Sequence, residues 1–527
     1  LIIQDAGGRM KPLNTFSSEL LRKVSKSDTY RGLDADQAFL SMTMMDQLWF
    51  QIPVIYLKRG NDSLRIVAGL EKDAKYAALS DFFDPQGNYK LAGILEKAYR
   101  ESTPTQFQKD YMDIGKRIDL LYSALTGQIL KVYPIPGDKN RKWVSYPEID
   151  TIANAELQKI KKVLPFYVQS LAEATQTKDY KMANSLLEGL IKYQKLYGKD
   201  VMPTEDKINA EILYNKYDIF KKLFEWYLYA GLAMFLFTIL RIFRDTKVNR
   251  IGAKTFHIII AILFGLHTAG LIARWYISGH APWSNAYESV IYVGWATVFF
   301  GLAFGRKSQL TVASTAFVAS IVLMVAHWNW TDPEIANLQA VLNSYWLMIH
   351  VAVIVASYGP FTLGMILGIV SLFLMLFTNN GNRARMELNI KEITYINEMA
   401  LTIGLIMLTI GNFLGGQWAN ESWGRYWGWD PKETWALVSI MVYAFVIHMR
   451  FVPALRGLWI FNFFSVLAFA SILMTYFGVN FYLTGLHSYA SGEVRTPTYF
   501  LWMALGVFAL GGAAYFKYIQ FYKKNKK

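Results

Sequence analysis

Nine stretches of the chain carry apolar residues almost without polar interruption: 223–240, 256–277, 287–304, 310–327, 345–377, 396–414, 435–449, 458–477 and 497–516. A helix needs about 20 predominantly apolar residues to cross a bilayer, so each stretch is predicted to span one. The fifth is long enough to project beyond the membrane or to break near "SYGPF", where Pro360 lacks a backbone donor; the seventh is short. Before residue 223 the pattern changes. "LAGILEKAYRES" and "YKMANSLLEGLIKYQKLYG" space their apolar residues as amphipathic helices do. "DPQGN" and "PIPGDKN" separate such runs as turns, and alternation in "IPVIYLK" and "SLRIVAGL" predicts a little strand. The expected fold class is an all-α polytopic membrane protein of about nine transmembrane helices (residues 223–527), preceded by a mainly helical domain over residues 1–222.

Composition agrees with that division. Of the 527 residues 53% are hydrophobic, and the mean hydropathy is positive, too apolar for a soluble protein of this size. Up to Lys222 there are 33 Lys/Arg against 28 Asp/Glu; from Leu223 onward there are 21 against 12. Cysteine is absent, which excludes a disulfide framework and a thiolate ligand or nucleophile. The chain opens on Leu rather than Met, as a piece of a longer protein would.

Where the basic residues lie gives an orientation. Segments 241–254, 305–309, 379–391, 448–457 and the C-terminal tail are rich in Lys and Arg. Segments 278–286 and 328–344 have none, and 415–434 and 478–496 have few. By the positive-inside rule the first set faces the cytoplasm. Residues 1–222 and loop 415–434 are then extracytoplasmic, the C-terminus is cytoplasmic, and a bacterial inner membrane is the expected location. The positive charge is thereby accounted for without a nucleic-acid partner.

Chemistry concentrates on the outer side. "WANESWGRYWGWDPKETWAL", Trp418 to Leu437, holds five of the 16 tryptophans. Trp418, Trp423, Trp427 and Trp429, spaced by glycines that permit close backbone approach, form a candidate aromatic platform. All seven histidines fall between positions 257 and 487. His350 begins the fifth span and His487 follows the eighth, both on the platform's side. Two neutral imidazoles suit the axial positions of a haem iron, and aromatic walls suit a porphyrin face; a hydrogen-bonded interfacial role is the plain alternative for each. His448 lies about 20 Å deeper on the seventh helix, either as a second haem ligand or as a snorkelling residue beside Arg450. His257 is its conceivable opposite ligand, while His280 and His327 read as structural. In "DPKE", Asp430 as N-cap, Pro431 as first helical residue and Glu433 three residues after the cap predict a capping box.

The loop "WGRYWGWDPKETWAL", with "SYWLMIHV", "SGHAPWSNAYES", "VIHMR" and "GLHSY" in chain order, resembles the system II cytochrome c synthases, the CcsA family, often found as CcsBA fusions. The resemblance covers about residues 250–500. "DAGGRMKPLNTF" is similar, more weakly, to the segment joining the two halves of some fusions.

The resemblance implies a site and an activity. His350 and His487 would ligate an external haem beside the tryptophan-rich WWD loop, with Trp418, Trp423, Trp427, Trp429, Asp430 and Arg425 contributing to that site. His448 would ligate a haem within the membrane, whose second ligand belongs in the family to a CcsB (ResB-like) half; a partner, a missing segment or His257 would supply it here. Haem b would be the substrate, with its propionates meeting cations such as Arg425 or Lys432. Its vinyl groups would become thioethers on the two thiols of a CXXCH apocytochrome c, the enzyme acting by alignment. The alternative is a haem transporter or chaperone that serves a separate ligase.

Overall fold

The computed structural model describes residues 1–58, 61–101, 105–327, 332–338, 344–483 and 498–523. The chain divides into two compact units, Leu1–Lys216 and Tyr217–Lys527. Asp218, in the left-handed region at φ 40°, separates helix Glu205–Tyr217 from the first long apolar helix. The division falls six residues before the sequence boundary, because Lys221 and Lys222 carry polar character into the first turn of that helix.

The first unit is mainly helical, with three two-stranded antiparallel ribbons. Ile2–Gln4 pairs with Met10–Pro12, Ile55–Tyr56 with Tyr76–Ala77, and Tyr133–Pro134 with Trp143–Val144. "LAGILEKAYRES" and "YKMANSLLEGLIKYQKLYG" supply the helices Ala92–Arg100 and Lys181–Tyr197. "IPVIYLK" contains the strand Ile55–Tyr56, but the expected strand in "SLRIVAGL" is a helix, Asp62–Ala68. That short run is ambiguous by period, and the backbone leaves the helix at Gly69, φ 73°. Buried Lys11 pairs with Asp5 and Glu19 at 2.8 and 2.6 Å. The Gln194 side chain receives the Ile2 N–H and donates to the Ile2 and Val132 carbonyls. These bonds pair the Ile2 N–H and the Ile2 and Val132 carbonyls inside the core, where an unpaired backbone group is costly.

The second unit consists of long helices: α1 Ile219–Phe243, α2 Lys247–Ser278, α3 Ala286–Phe304, α4 Gln309–His327, α5 Tyr345–Leu376, α6 Arg383–Trp423, α7 Pro431–His448, α8 Leu458–Leu473 and α9 Thr498–Tyr518. Among the described residues nine helices are long and apolar enough to cross a membrane, as the apolar runs predict. Helix α5 is the hub, packing on α3, α4, α6, α8 and α9. It stays helical through Pro360. Gly359 explains part of this: a Cβ there would lie 2.8 Å from the Ala296 carbonyl carbon, so α3 packs directly on the α5 backbone. Neighbouring helices often hold a proline-containing span together in this way.

Toward the other end of the unit, α6 and α8 are joined by buried amides. Asn397 Nδ2 donates to Asn462 Oδ1 at 3.1 Å and Ser465 Oγ at 3.0 Å, and Asn462 Nδ2 donates to Thr394 Oγ1 at 2.7 Å. Interhelical bonds of this kind fix register where no aqueous hydrophobic effect acts between helices.

Helix α6 departs most from expectation. At 41 residues it is about 60 Å long, roughly twice the hydrocarbon thickness. Nothing in "GQWANESW" breaks the helix before Gly424, whose φ of 71° provides the left-handed C-cap. The expected loop 415–434 is therefore helical up to Trp423 and again from Pro431.

Candidate functional site

Helix ends from across the second unit enclose a cavity of about 410 Å³, within the range of small-molecule sites. Its walls come from the loop before α3, the first turns of α5, the last turns of α6, the α6–α7 connection, the start of α7 and the chain just beyond α8. The segment Asp332–Leu338 contributes a further edge.

His350 lies in this wall, one turn into α5. Its Nδ1 is 2.8 Å from the Gly411 carbonyl oxygen. A carbonyl can only accept, so Nδ1 carries the proton and Nε2 is the lone-pair nitrogen, the state in which a neutral imidazole binds a metal. Gly415 gives the ring its place, since a Cβ there would lie 2.7 Å from Nδ1. The fully buried Trp418 indole is parallel to the imidazole, at 15° and 6.1 Å between centroids. Trp423 meets Trp418 edge-on at 4.7 Å.

The four platform tryptophans thus take separate places. Trp418 and Trp427 line the cavity. Trp423 supports Trp418 from behind and stacks under the Arg425 guanidinium at 5.6 Å. Trp429 is 71% exposed and held at φ 56°, a conformation rarely adopted by a bulky side chain. A single continuous platform of four is not what folds, because two of the rings sit on a helix and two on a tight connection.

Asp430 caps α7 as expected. Its carboxylate accepts from Lys432 N at 3.2 Å, and Glu433 closes the capping box. Glu433 Oε2 accepts from Gly428 N at 2.8 Å and Asp430 N at 3.2 Å, and its other oxygen is 3.7 Å from Arg425 Nη1. Arg425 also packs where a Gly428 side chain would be. Asp430 and Arg425 therefore build the connection and stand outside the cavity lining, whereas Lys432 and Glu433 line it.

The motif "SGHAPWSNAYES" forms the opposite wall. Both ring nitrogens of His280 lie 3.2 Å from carbonyl oxygens, those of Ala281 and Ala336. Trp283 Nε1 donates to the Met348 carbonyl at 3.1 Å. Fully buried Arg274 pairs with fully buried Glu288 at 2.7 Å and donates to the Pro333 and Glu334 carbonyls at 3.0 Å each. Glu288 also accepts the Ser284 N–H at 2.9 Å. One guanidinium thus ties α2, the start of α3 and segment Asp332–Leu338 together. Sequence reading missed Arg274 and Gly415; the signal for Arg274 was a charge inside a predicted span, which is costly unless paired.

His448 is at the far end of α7 and exposed, its Nδ1 2.7 Å from the Ala444 carbonyl oxygen. The Nδ1 proton points at that carbonyl, so Nε2 faces away from it. Arg450, two residues on, pairs with Glu398 of α6. Helix α2, which carries His257, packs mainly on α1, α3 and α4, and α7 mainly on α6 and α8. His267 is buried, with Nε2 3.0 Å from the Ile291 carbonyl oxygen, and reads as structural. His487 lies outside the described residues.

The family model "Cytochrome C assembly protein" matches residues 283–487. The chain is 33% identical over 272 residues to the cytochrome c biogenesis protein CcsA of Prochlorococcus marinus, covering 44% of this chain and 83% of that one. A CcsA from Chlamydomonas reinhardtii is 35% identical over 227 residues, 42% of this chain and 64% of that one. The chain belongs to the CcsA family of cytochrome c biogenesis proteins. It is also 38% identical over 496 residues to Protein NrfI of Wolinella succinogenes, a match covering 94% of this chain but 54% of NrfI, about half of its length. The solved structure of Cytochrome c Heme Lyase CcmF overlaps 56% of this chain and 50% of its own at 16% identity, with a TM-score of 0.38.

Proposed function

We propose that this chain is the haem-seating part of a cytochrome c synthase. In this reading it holds haem b in the outer cavity and attaches it to the CXXCH thiols of an apocytochrome c. The carrying observation is His350. Its tautomer is fixed by Gly411, so that Nε2 can ligate iron, and the cavity wall beside it includes Trp418 and Trp427. Apolar aromatic surface and a neutral imidazole are what a porphyrin and its iron require.

His487 is proposed as the second axial ligand. The support is the resemblance of "GLHSY" to the family and the chain before it: Asn480, seven residues earlier in sequence, lines the cavity. His448 is proposed to ligate a second haem at the inner end of α7. Its exposure supports an opposite ligand from outside this chain, a CcsB-like partner or the remainder of a fusion of NrfI length. Loop charge supports a bacterial inner membrane, with residues 1–222 and the cavity on the extracytoplasmic side.

Haem brings two vinyl groups, and adding a thiol across each breaks the S–H bond and the vinyl π bond while forming one C–S and one C–H bond, with no net redox change. The protein's share is to orient the ring and exclude water, catalysis by proximity. The test is coexpression of the full chain with a CXXCH apocytochrome, with and without a CcsB-like partner. Covalent c-type haem on the apocytochrome supports the synthase. Haem retained without such a product in either case rejects it in favour of a transporter.

A further inference from the structure

We infer that Lys432 binds a carboxylate of the molecule seated in the outer cavity, a propionate if that molecule is haem, and so fixes which edge of the ring meets the start of α7. The inference rests on the haem reading above and adds a residue and an orientation to it.

Lys432 is the one Lys or Arg among the described residues that line the cavity. Three carboxylates, Asp332, Glu334 and Glu433, line it too. Glu433 receives the Gly428 and Asp430 N–H groups, and the Tyr476 hydroxyl donates to the Ala286 carbonyl at 2.8 Å. Arg425, the other cation of this connection, is directed against Trp423 and Glu433 instead. The Lys432 ammonium makes no hydrogen bond or ion pair with the described residues; its backbone N–H donates to Asp430.

An ammonium in a largely apolar cavity is costly without a counter-charge. It stands in the first turn of α7, where the helix dipole also favours an anion. Glu433, adjacent in sequence, is committed to the Gly428 and Asp430 N–H groups, and Asp430, two residues before, caps the helix while its charge also acts on the ammonium. The cavity therefore offers apolar and aromatic walls, the His350 imidazole opposite a carbonyl-bound one at His280, and one cation without an ion pair among the described residues. A planar apolar ring with carboxylates on one edge satisfies all three. A phospholipid phosphate would satisfy the cation but leave the imidazole without a role.

The experiment uses the full chain in detergent, carrying His448→Ala so that the titration reads the outer cavity. The chain, Lys432→Met and Lys432→Arg are each titrated with haemin and with haemin dimethyl ester, which lacks the free carboxylates. Lys432→Met should weaken haemin about tenfold or more, the effect of losing a charged hydrogen bond, and leave the ester within about twofold. Lys432→Arg should restore haemin binding. Equal changes for both porphyrins, or none for either, overturn the proposal. So does loss of bound phosphatidylglycerol from Lys432→Met with both porphyrins unaffected, which would assign the lysine to lipid. A chain with Lys432 intact that takes up neither porphyrin overturns the haem reading itself, and this proposal with it.

Discussion

The His350 imidazole occupies the space that a side chain at Gly415 would fill: a Cβ on residue 415 would come within 2.7 Å of Nδ1. That nitrogen donates to Gly411, one turn back along the same helix. Both the place and the protonation of His350 are therefore set by α6.

Gly415→Ala separates helix stability from ligand geometry. Alanine improves a helix interior by about 1 kcal/mol over glycine, so α6 itself should not suffer. The imidazole, however, must move and lose its bond to Gly411. Haem affinity at the outer cavity should fall about 10–100-fold, as when support around a metal-binding histidine is removed, while helix content by circular dichroism is unchanged. Haem titration followed by absorbance checks this, and unaltered affinity would remove Gly415 and Gly411 from the site's construction. Replacing His350 and His487 together should abolish the signal.

Arg274 and Glu288 are both fully buried. Arg274→Gln leaves a carboxylate without its partner, which costs about 3–5 kcal/mol when a buried pair is broken on one side. Arg274→Met combined with Glu288→Gln removes both charges and should recover a large part of that loss. Unfolding of the solubilised chain measures it. Equal destabilisation by the single and double variants would mean that the charge pair is not what holds this wall.

The tryptophans should divide by position. Trp418→Ala empties a fully buried site and should cost about 3–5 kcal/mol of stability. Trp427→Ala should leave stability nearly unchanged and weaken haem about 2–10-fold, the range of one aromatic contact. Trp429→Gly should affect neither adversely, since the ring is largely exposed and glycine accepts the positive φ without strain. Haem affinity and thermal unfolding on the three variants give the comparison; Trp429→Gly weakening haem as much as Trp427→Ala would place Trp429 in the seat.

These positions also mark what the sequence reveals. Apolar runs announce all nine long helices found among the described residues, because spanning a bilayer demands length and composition that little else imitates. "DPKE" announces its cap because the capping box is local chemistry. Trp418 and Trp423 are legible as a cluster but not as a helix: a high tryptophan density looks like a loop, while the helix ends at Gly424. Gly415 and Arg274 act across the bundle, and one sequence gives no measure of what lies against them. For the same reason Arg425 and Lys432 look alike in the chain, yet one lines the cavity and the other packs behind it.

Asp430 is where an architectural role can be separated from a ligand-binding one. Its carboxylate caps α7, is 7% exposed and is absent from the cavity lining. If the cap is its task, Asp430→Asn should be nearly silent, because asparagine caps as well as aspartate. Asp430→Ala should lose about 1 kcal/mol and loosen the turn on which Trp427 and Lys432 depend. Haem affinity should then rank the parent and the asparagine variant together, with alanine below them. A carboxylate needed for its charge at the haem would give the other order, asparagine falling with alanine. Titration of the three chains with haemin, read beside their unfolding midpoints, decides between the two roles.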